Sequence, residues 1–236
     1  MCDTAFKRHC QSLQWDKRLK DVSMKKQLAI LALAAIGAGV HAQDSYIGLG
    51  LPGLYTLGYA QPVTGSIGLR GEYATGLSIS KDGVQDGVNV TGSFKASRFG
   101  AFADWFPTGG GFRLVGGLTL NDMKADFNGV GTGTSTINGK TVNMAGQTFN
   151  VAVKFPDTTP YLGIGYGHQK SGVKGIGFYA DVGVMIGTFT ANTTTSLVGS
   201  QGITQADVDA QTQKIRDSLG SLSVLPSASI GLLYRY

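Results

Sequence analysis

The sequence predicts an all-β fold: an eight-stranded antiparallel transmembrane β-barrel with one short loop helix. Three observations predict it. Apolar residues recur at every second position in segments roughly 10 residues long, bounded by turn-forming residues. The other phase is polar or rich in glycine, and glycine fills 36 of 236 positions, roughly twice its usual share. The alternation also runs through the last stretch, "SASIGLLYRY", to the final residue, where chain ends are normally polar and frayed. A soluble sandwich would bury the apolar phase, whereas a membrane barrel turns it toward lipid. Glycines on the inner phase, aromatics gathered at one end of the strands, and a terminus held by pairing with the first strand all select the barrel.

Residues 1–23 precede a complete export signal and predict no fold of their own. Either translation starts at Met24, or these residues form an extended cytoplasmic n-region. Met24-Lys25-Lys26, the apolar run "LAILALAAIGAGV" from Leu28 to Val40 and the site Val40-His41-Ala42 together read as a signal peptide over 24–42, cleaved before Gln43. The run is too short to be a spanning helix, which needs about 20 residues. Both cysteines, Cys2 and Cys10, lie in the segment lost on export, at a spacing that fits no zinc or redox motif. An exported chain without thiols needs no disulfide staple. The barrel is expected over 43–236.

Eight strands are expected, over 45–51, 54–61, 66–79, 88–106, 112–127, 148–168, 175–190 and 224–236. In the third, Ile67, Leu69, Tyr73, Leu77 and Ile79 oppose Arg70, Glu72 and Ala74. In the fifth, Phe112, Leu114, Leu118 and Leu120 oppose Arg113, Thr119 and Asn121. In the seventh, Phe178, Ala180, Val182, Val184 and Ile186 oppose Tyr179, Asp181, Gly183, Met185 and Gly187. In the last, Ile230, Leu232, Tyr234 and Tyr236 oppose Ser229, Gly231, Leu233 and Arg235. Turns alternate between short (64–66, 107–111, 169–175) and long ("KDGVQDG", 128–147, 191–223), the asymmetry of periplasmic turns and extracellular loops. Pro52-Gly53 is the exception, a very short first outer loop. In the last long loop "TQADVDAQTQKIRDSLG" (204–220) predicts a helix. Thr204 caps it with Asp207 three residues on, and Gly220 ends it. Val208, Ile215 and Leu219 share a face suited to packing on the barrel rim, outside the membrane. Trp105, Phe112, Tyr166, Phe178, Tyr234 and Tyr236 are expected to face lipid as a periplasmic girdle. Pairing Trp105 with Phe112 would set Asp104 opposite Arg113 as an ion pair.

Charge excludes one large class of function. The formal net charge is +5, but residues 1–42 hold seven Lys/Arg against three Asp/Glu, and the rest holds thirteen against twelve. The nearly neutral body offers no basic face for nucleic acid. His168 is the one histidine after residue 42, which leaves no triad or two-histidine metal site. Gly139-Lys140-Thr141 lacks the glycine a phosphate loop needs five residues earlier, where Thr134 stands, so Asn138-Gly139 reads as a hairpin turn. "GIGYG" (163–167) continues a strand and forms no dinucleotide loop. No enzyme activity and no cofactor are expected. The polar constellation is instead the lumen: Arg70, Glu72, Arg98, Asp104, Arg113, Asp181 and Arg235. Isolated charges on an inner wall are costly, so these form either a salt-bridged plug or a narrow polar path.

Beyond these patterns, "TPYLGIGYG" (159–167), "GFYADVGVMIG" (177–187) and the aromatic last strand resemble small eight-stranded outer-membrane proteins of the OmpW and OmpA-barrel kind. The pattern is most similar to the CarO type, named for ornithine uptake. The likeness includes "INGKTV" (137–142), the element Ile215-Arg216-Asp217 and the Leu225-Pro226 start of the last strand, and it spans roughly 43–236. It implies a Gram-negative outer-membrane location. It also implies that Ile230, Leu232, Tyr234 and Tyr236 resemble the C-terminal signal read by the barrel-assembly machinery, with Tyr236 replacing the commoner Phe. No ornithine-binding residue carries over. Two functions follow: a narrow passive channel for small hydrophilic solutes such as basic amino acids, or a closed-lumen structural or surface-interaction barrel. A lipid-modifying enzyme is a third, lacking an evident nucleophile and base. The expected partners are outer-membrane lipid, the assembly machinery and a small charged solute.

Overall fold

The structure, a computed structural model, describes residues 43–85, 88–168, 174–220 and 223–236. The expected signal peptide, the segment before it with both cysteines, and residues 169–173 of the turn after residue 168 lie outside the described residues.

Among the described residues there are twelve strand segments, ten of which build eight staves. They are β1 (Asp44–Leu51), β2 (Tyr55–Pro62), β3 (Ile67–Gln85), β4 (Val88–Trp105), β5 (Phe112–Gly131), β6 (Thr134–Ile137), β7 (Lys140–Asn143), β8 (Thr148–Lys154), β9 (Thr158–Tyr166), β10 (Gly175–Ile186), β11 (Thr190–Thr195) and β12 (Val224–Arg235). The ring runs β1-β2-β3-β4-β5-β9-β10-β12 and closes where β12 pairs antiparallel with β1. That closure explains the alternation to the last residue. Asp44 pairs with Arg235, and the Tyr236 N–H donates to the Gln43 carbonyl at 3.0 Å, so no frayed edge remains.

The alternation sorts side chains as a membrane barrel requires. Ile47, Leu69, Leu118, Leu162, Val182 and Ile230 point outward, and the core of polar residues points inward. The six girdle residues are all exposed on this outer face, Phe178 most of all at 76%. Inner glycines let large rings cross the lumen. A Cβ at Gly58 would collide with the Tyr46 ring, and one at Gly231 with the Ile47 carbonyl.

Three expectations need correction. Leu77 and Ile79 do not share the outward phase of Ile67, Leu69 and Tyr73. The register against β4 shifts between Ala74 and Leu77, so a bulge at Thr75-Gly76 returns Leu77 to the inner side, where it packs on the buried cluster. Trp105 pairs with Leu114 rather than Phe112, and Asp104 with Val115 rather than Arg113. The turn takes two more residues than expected: Phe112 and Arg113 pair only with β9, opposite Tyr166 and Gly165, and the ladder with β4 begins at Leu114, while the Phe106 N–H continues the β3 ladder to the Ser66 carbonyl at 2.8 Å. Finally, the expected long loops carry strand at 81–85, 128–131, 134–137, 140–143 and 191–195, and the expected single strand 148–168 is broken in two. β3 and β5 run on past their expected ends alongside β4, and β8 and β11 continue the staves of β9 and β10 across breaks at 155–157 and 187–189.

These extensions make one tall wall, β3-β4-β5-β8-β11. The hairpin β6-β7 turns at Asn138-Gly139, with φ of 47° and 81°. The helix α1 (Gln205–Gly220) follows the Thr204 cap. Val142 and Met144, Leu197 and Ile203, and Val208 of α1 form a second buried cluster, joined by Phe149 of β8. Arg216 fastens α1 to β11 through the Ala191 carbonyl at 2.7 Å. Val208 is buried and Ile215 half-buried, as the helix face requires; Leu219's side chain lies outside the described residues.

Candidate functional site

The inner phase of the staves brings all seven lumen charges together. Arg70 and Glu72 come from β3, Arg98 and Asp104 from β4, Arg113 from β5, Asp181 from β10 and Arg235 from β12, and every one is buried. Arg98 meets Glu72 at 2.5 Å, and Arg70 meets Glu72 at 2.9 Å and Asp104 at 3.1 Å. Arg113 donates twice to Asp181 at 2.7 Å and once to the Gly167 carbonyl at 2.6 Å. The Asp104–Arg113 contact exists only as a longer approach of 3.5 Å, the same distance as Arg70 to Asp181. Each carboxylate therefore has an arginine, and six charges (Arg70, Glu72, Arg98, Asp104, Arg113 and Asp181) join into one network across four staves.

Sequence reasoning missed the partner of Arg235. Asp44 accepts from Arg235 at 2.8 and 2.9 Å and contacts His168 Nδ1 at 3.0 Å. The signal was available: Asp44 continues the inner phase of Tyr46 and Gly48, one residue before the expected strand start. With it, four arginines face four carboxylates, and the buried interior is electrically balanced. His168 therefore belongs to a structural contact at the barrel base.

Aromatic rings fill the space between charges. Arg70 lies 4.6 Å above the Phe102 ring centre, Tyr46 donates to Glu72 at 3.0 Å, and Tyr46 meets Tyr179 edge-on at 4.8 Å. Phe102 meets Tyr161 at 4.9 Å, and both pack with Val115, Met123, Phe155 and Met185 in one buried cluster. Between the levels of Val115 and Met123 on β5, Thr119 and Thr159 join hydroxyls at 2.8 Å. An eight-stranded barrel has room for little but side chains, and this one is filled by them.

Outside the membrane band, Asp207 binds Lys140 Nζ at 2.8 Å, the Thr204 N–H at 3.0 Å and the Asn138 amide at 3.1 Å. Lys140, first of all, and then these other donors hold its carboxyl well below the usual carboxylate range. This joint ties α1 to the β6-β7 hairpin.

An exposed apolar belt around a closed antiparallel ring, with charges paired inside it, defines a transmembrane β-barrel of the outer-membrane class. Comparison with solved structures finds that fold. CarO2 of Acinetobacter baumannii matches with a TM-score of 0.55 at 19% identity, over 84% of this chain and 100% of the other. CarO of the same organism matches with a TM-score of 0.53 at 19% identity, over 82% and 97%. No family model matches the sequence, and no curated protein matches it.

Proposed function

We propose that this chain is a closed-lumen barrel of the Gram-negative outer membrane, acting through its external wall and loops rather than as a channel. One observation carries the reading: eight buried charges of the interior pair among themselves, with aromatic rings packed between them. A path for a basic amino acid would need unpaired acidic groups or water-filled width along the axis. The balanced network supplies neither. The outer-membrane fold of the matched structures supports the location, and the outward Ile230, Leu232, Tyr234 and Tyr236 suit a strand presented to the assembly machinery.

The test is conductance. Purified protein in planar bilayers, with ornithine and arginine gradients across liposomes as a second readout, is expected to give neither channel steps nor uptake. Stable single-channel openings or saturable uptake would reject the closed-lumen reading in favour of the passive channel.

A further inference from the structure

The outer face of the tall wall carries a charge pattern that sequence reasoning did not single out. Lys95 of β4 pairs directly with Lys124 of β5, and Lys124 pairs directly with Lys154 of β8. All three are exposed and lie on the phase opposite to buried Ala96, Met123 and Phe155. Three ammonium groups therefore occupy one rung, with adjacent Cβ atoms about 5 Å apart, an arrangement that repels itself. Asp122 and Asp126 flank Lys124 on β5, opposite Ser97 and Ser93, but neither pairs with these lysines within 4.0 Å among the described residues. A rung of like charge across three staves suits an anion that bridges it.

Its height narrows the anion. The last apolar outward pair is Phe99 with Leu120, and the lysine rung lies four residues further up both strands. At about 3.3 Å per residue and a tilt near 40°, that is roughly 10 Å above the apolar belt, within reach of headgroup phosphates for a lysine side chain. Further up the same face, Thr91, Asn128, Asn150 and Thr194 share a second rung. The Asn150 amide donates to Asn128 at 2.9 Å, and these four residues line a shallow groove of about 860 Å³ with Asn89 and Ser196. Amides and hydroxyls above, ammonium groups below: the order matches a sugar chain standing on phosphates.

We infer that this face docks a phosphorylated glycolipid of the outer leaflet, Lys95, Lys124 and Lys154 binding its phosphates and the Asn128/Asn150 rung binding its sugars. The inference rests on the outer-membrane reading above. The occupant is a lipid rather than a free anion because the rung stands directly over the lipid-facing belt.

Native mass spectrometry of the refolded barrel in detergent tests it, with diphosphoryl lipid A, dephosphorylated lipid A, phosphatidylglycerol and inorganic phosphate as probes. The wild type is expected to retain diphosphoryl lipid A roughly 10–100-fold more tightly than K95Q/K124Q/K154Q. Dephosphorylated lipid A should bind the two equally. For the sugar rung, N128A/N150A should weaken binding of core-bearing lipopolysaccharide and leave lipid A unchanged. Heat-modifiability on a gel confirms that each variant is folded. Equal lipid A binding by wild type and the triple variant overturns the proposal. So does equal retention of phosphatidylglycerol, displacement by equimolar inorganic phosphate, a lipid-free dimer on this face, or unchanged lipopolysaccharide binding by N128A/N150A. Sucrose-gradient fractionation of expressing cells reads the location separately. A wild type absent from the outer membrane fails that reading, whereas an outer-membrane protein indifferent to its lysines fails this one alone.

Discussion

Replacing Arg113 isolates the energetics of the interior. Its side chain is fully buried and makes three short bonds, two to Asp181 and one to the Gly167 carbonyl. In Arg113→Ala, Asp181 keeps only Arg70 at 3.5 Å, and the Gly167 carbonyl loses its side-chain donor. Removing one partner of a buried pair costs about 3–5 kcal/mol, because the remaining charge is left desolvated. With a urea slope of about 1–3 kcal/mol/M, a loss near 4 kcal/mol moves the unfolding midpoint down by roughly 1.3–4 M. The double change Arg113→Met/Asp181→Leu removes both charges and fills much of their volume, so it is expected to recover most of that loss. Arg113→Ala/Asp104→Ala is expected to recover little, since that pair is the longer 3.5 Å contact and Asp104 answers chiefly to Arg70. The assay is urea unfolding of the barrel refolded in detergent, followed by heat-modifiability and tryptophan fluorescence. An Arg113→Ala barrel as stable as wild type, or a Met/Leu double no better than the single, would refute a desolvated network and restore a hydrated lumen.

Three further outcomes are expected. Gly58→Val should impair refolding or cost about 1–3 kcal/mol or more through collision with Tyr46, whereas Gly71→Val, which meets open space, should refold normally; comparing folded fractions on gels checks both. Asp207 has a depressed pKa, so its contribution is present above the ordinary value of about 3.9 and is lost only as pH falls through the lower folded value. An NMR titration should place its midpoint below that of free aspartate, and Asp207→Asn should loosen the α1–hairpin joint at neutral pH. Trypsin added to intact cells should cleave after exposed Lys214; protection there would invert the assigned sidedness.

The parts of the fold that depend on period were legible in the sequence, because a period of two assigns each residue to a face without knowledge of its neighbours. That is why Arg70, Glu72, Arg98, Asp104, Arg113, Asp181 and Arg235 could be grouped before any contact was known. What depends on register was not legible. The Asp104–Arg113 opposition failed because the turn takes two more residues, Phe112 and Arg113 pairing with β9 before the ladder with β4 begins at Leu114, which no local propensity announces. The Leu77 phase failed for a similar reason, since one bulge reverses a face while the written alternation continues. Long loops were harder still. Segments such as "TANTTT" and "KDGVQ" have little apolar alternation, so their strand character comes from pairing with β8 and β4 rather than from burial.

The distribution of charge separates the inside of this barrel from its outside. Inside, four arginines and four carboxylates satisfy one another at 2.5–3.5 Å, so among the described residues the interior has no charge left over with which to attract a solute. Outside, Lys140 finds Asp207, whereas Lys95, Lys124 and Lys154 stand in a row against one another. A buried pair lost in the interior would be felt in stability, and a lysine lost from the rung would hardly be felt there, because exposed charges contribute little to folding. Neutralising the rung should therefore leave the unfolding free energy in urea within about 0.5 kcal/mol of wild type while lipid A retention falls. A barrel whose stability and lipid retention fell together would show that the lysines serve the fold. Separation of the two would place the working surface of this protein on its outer wall.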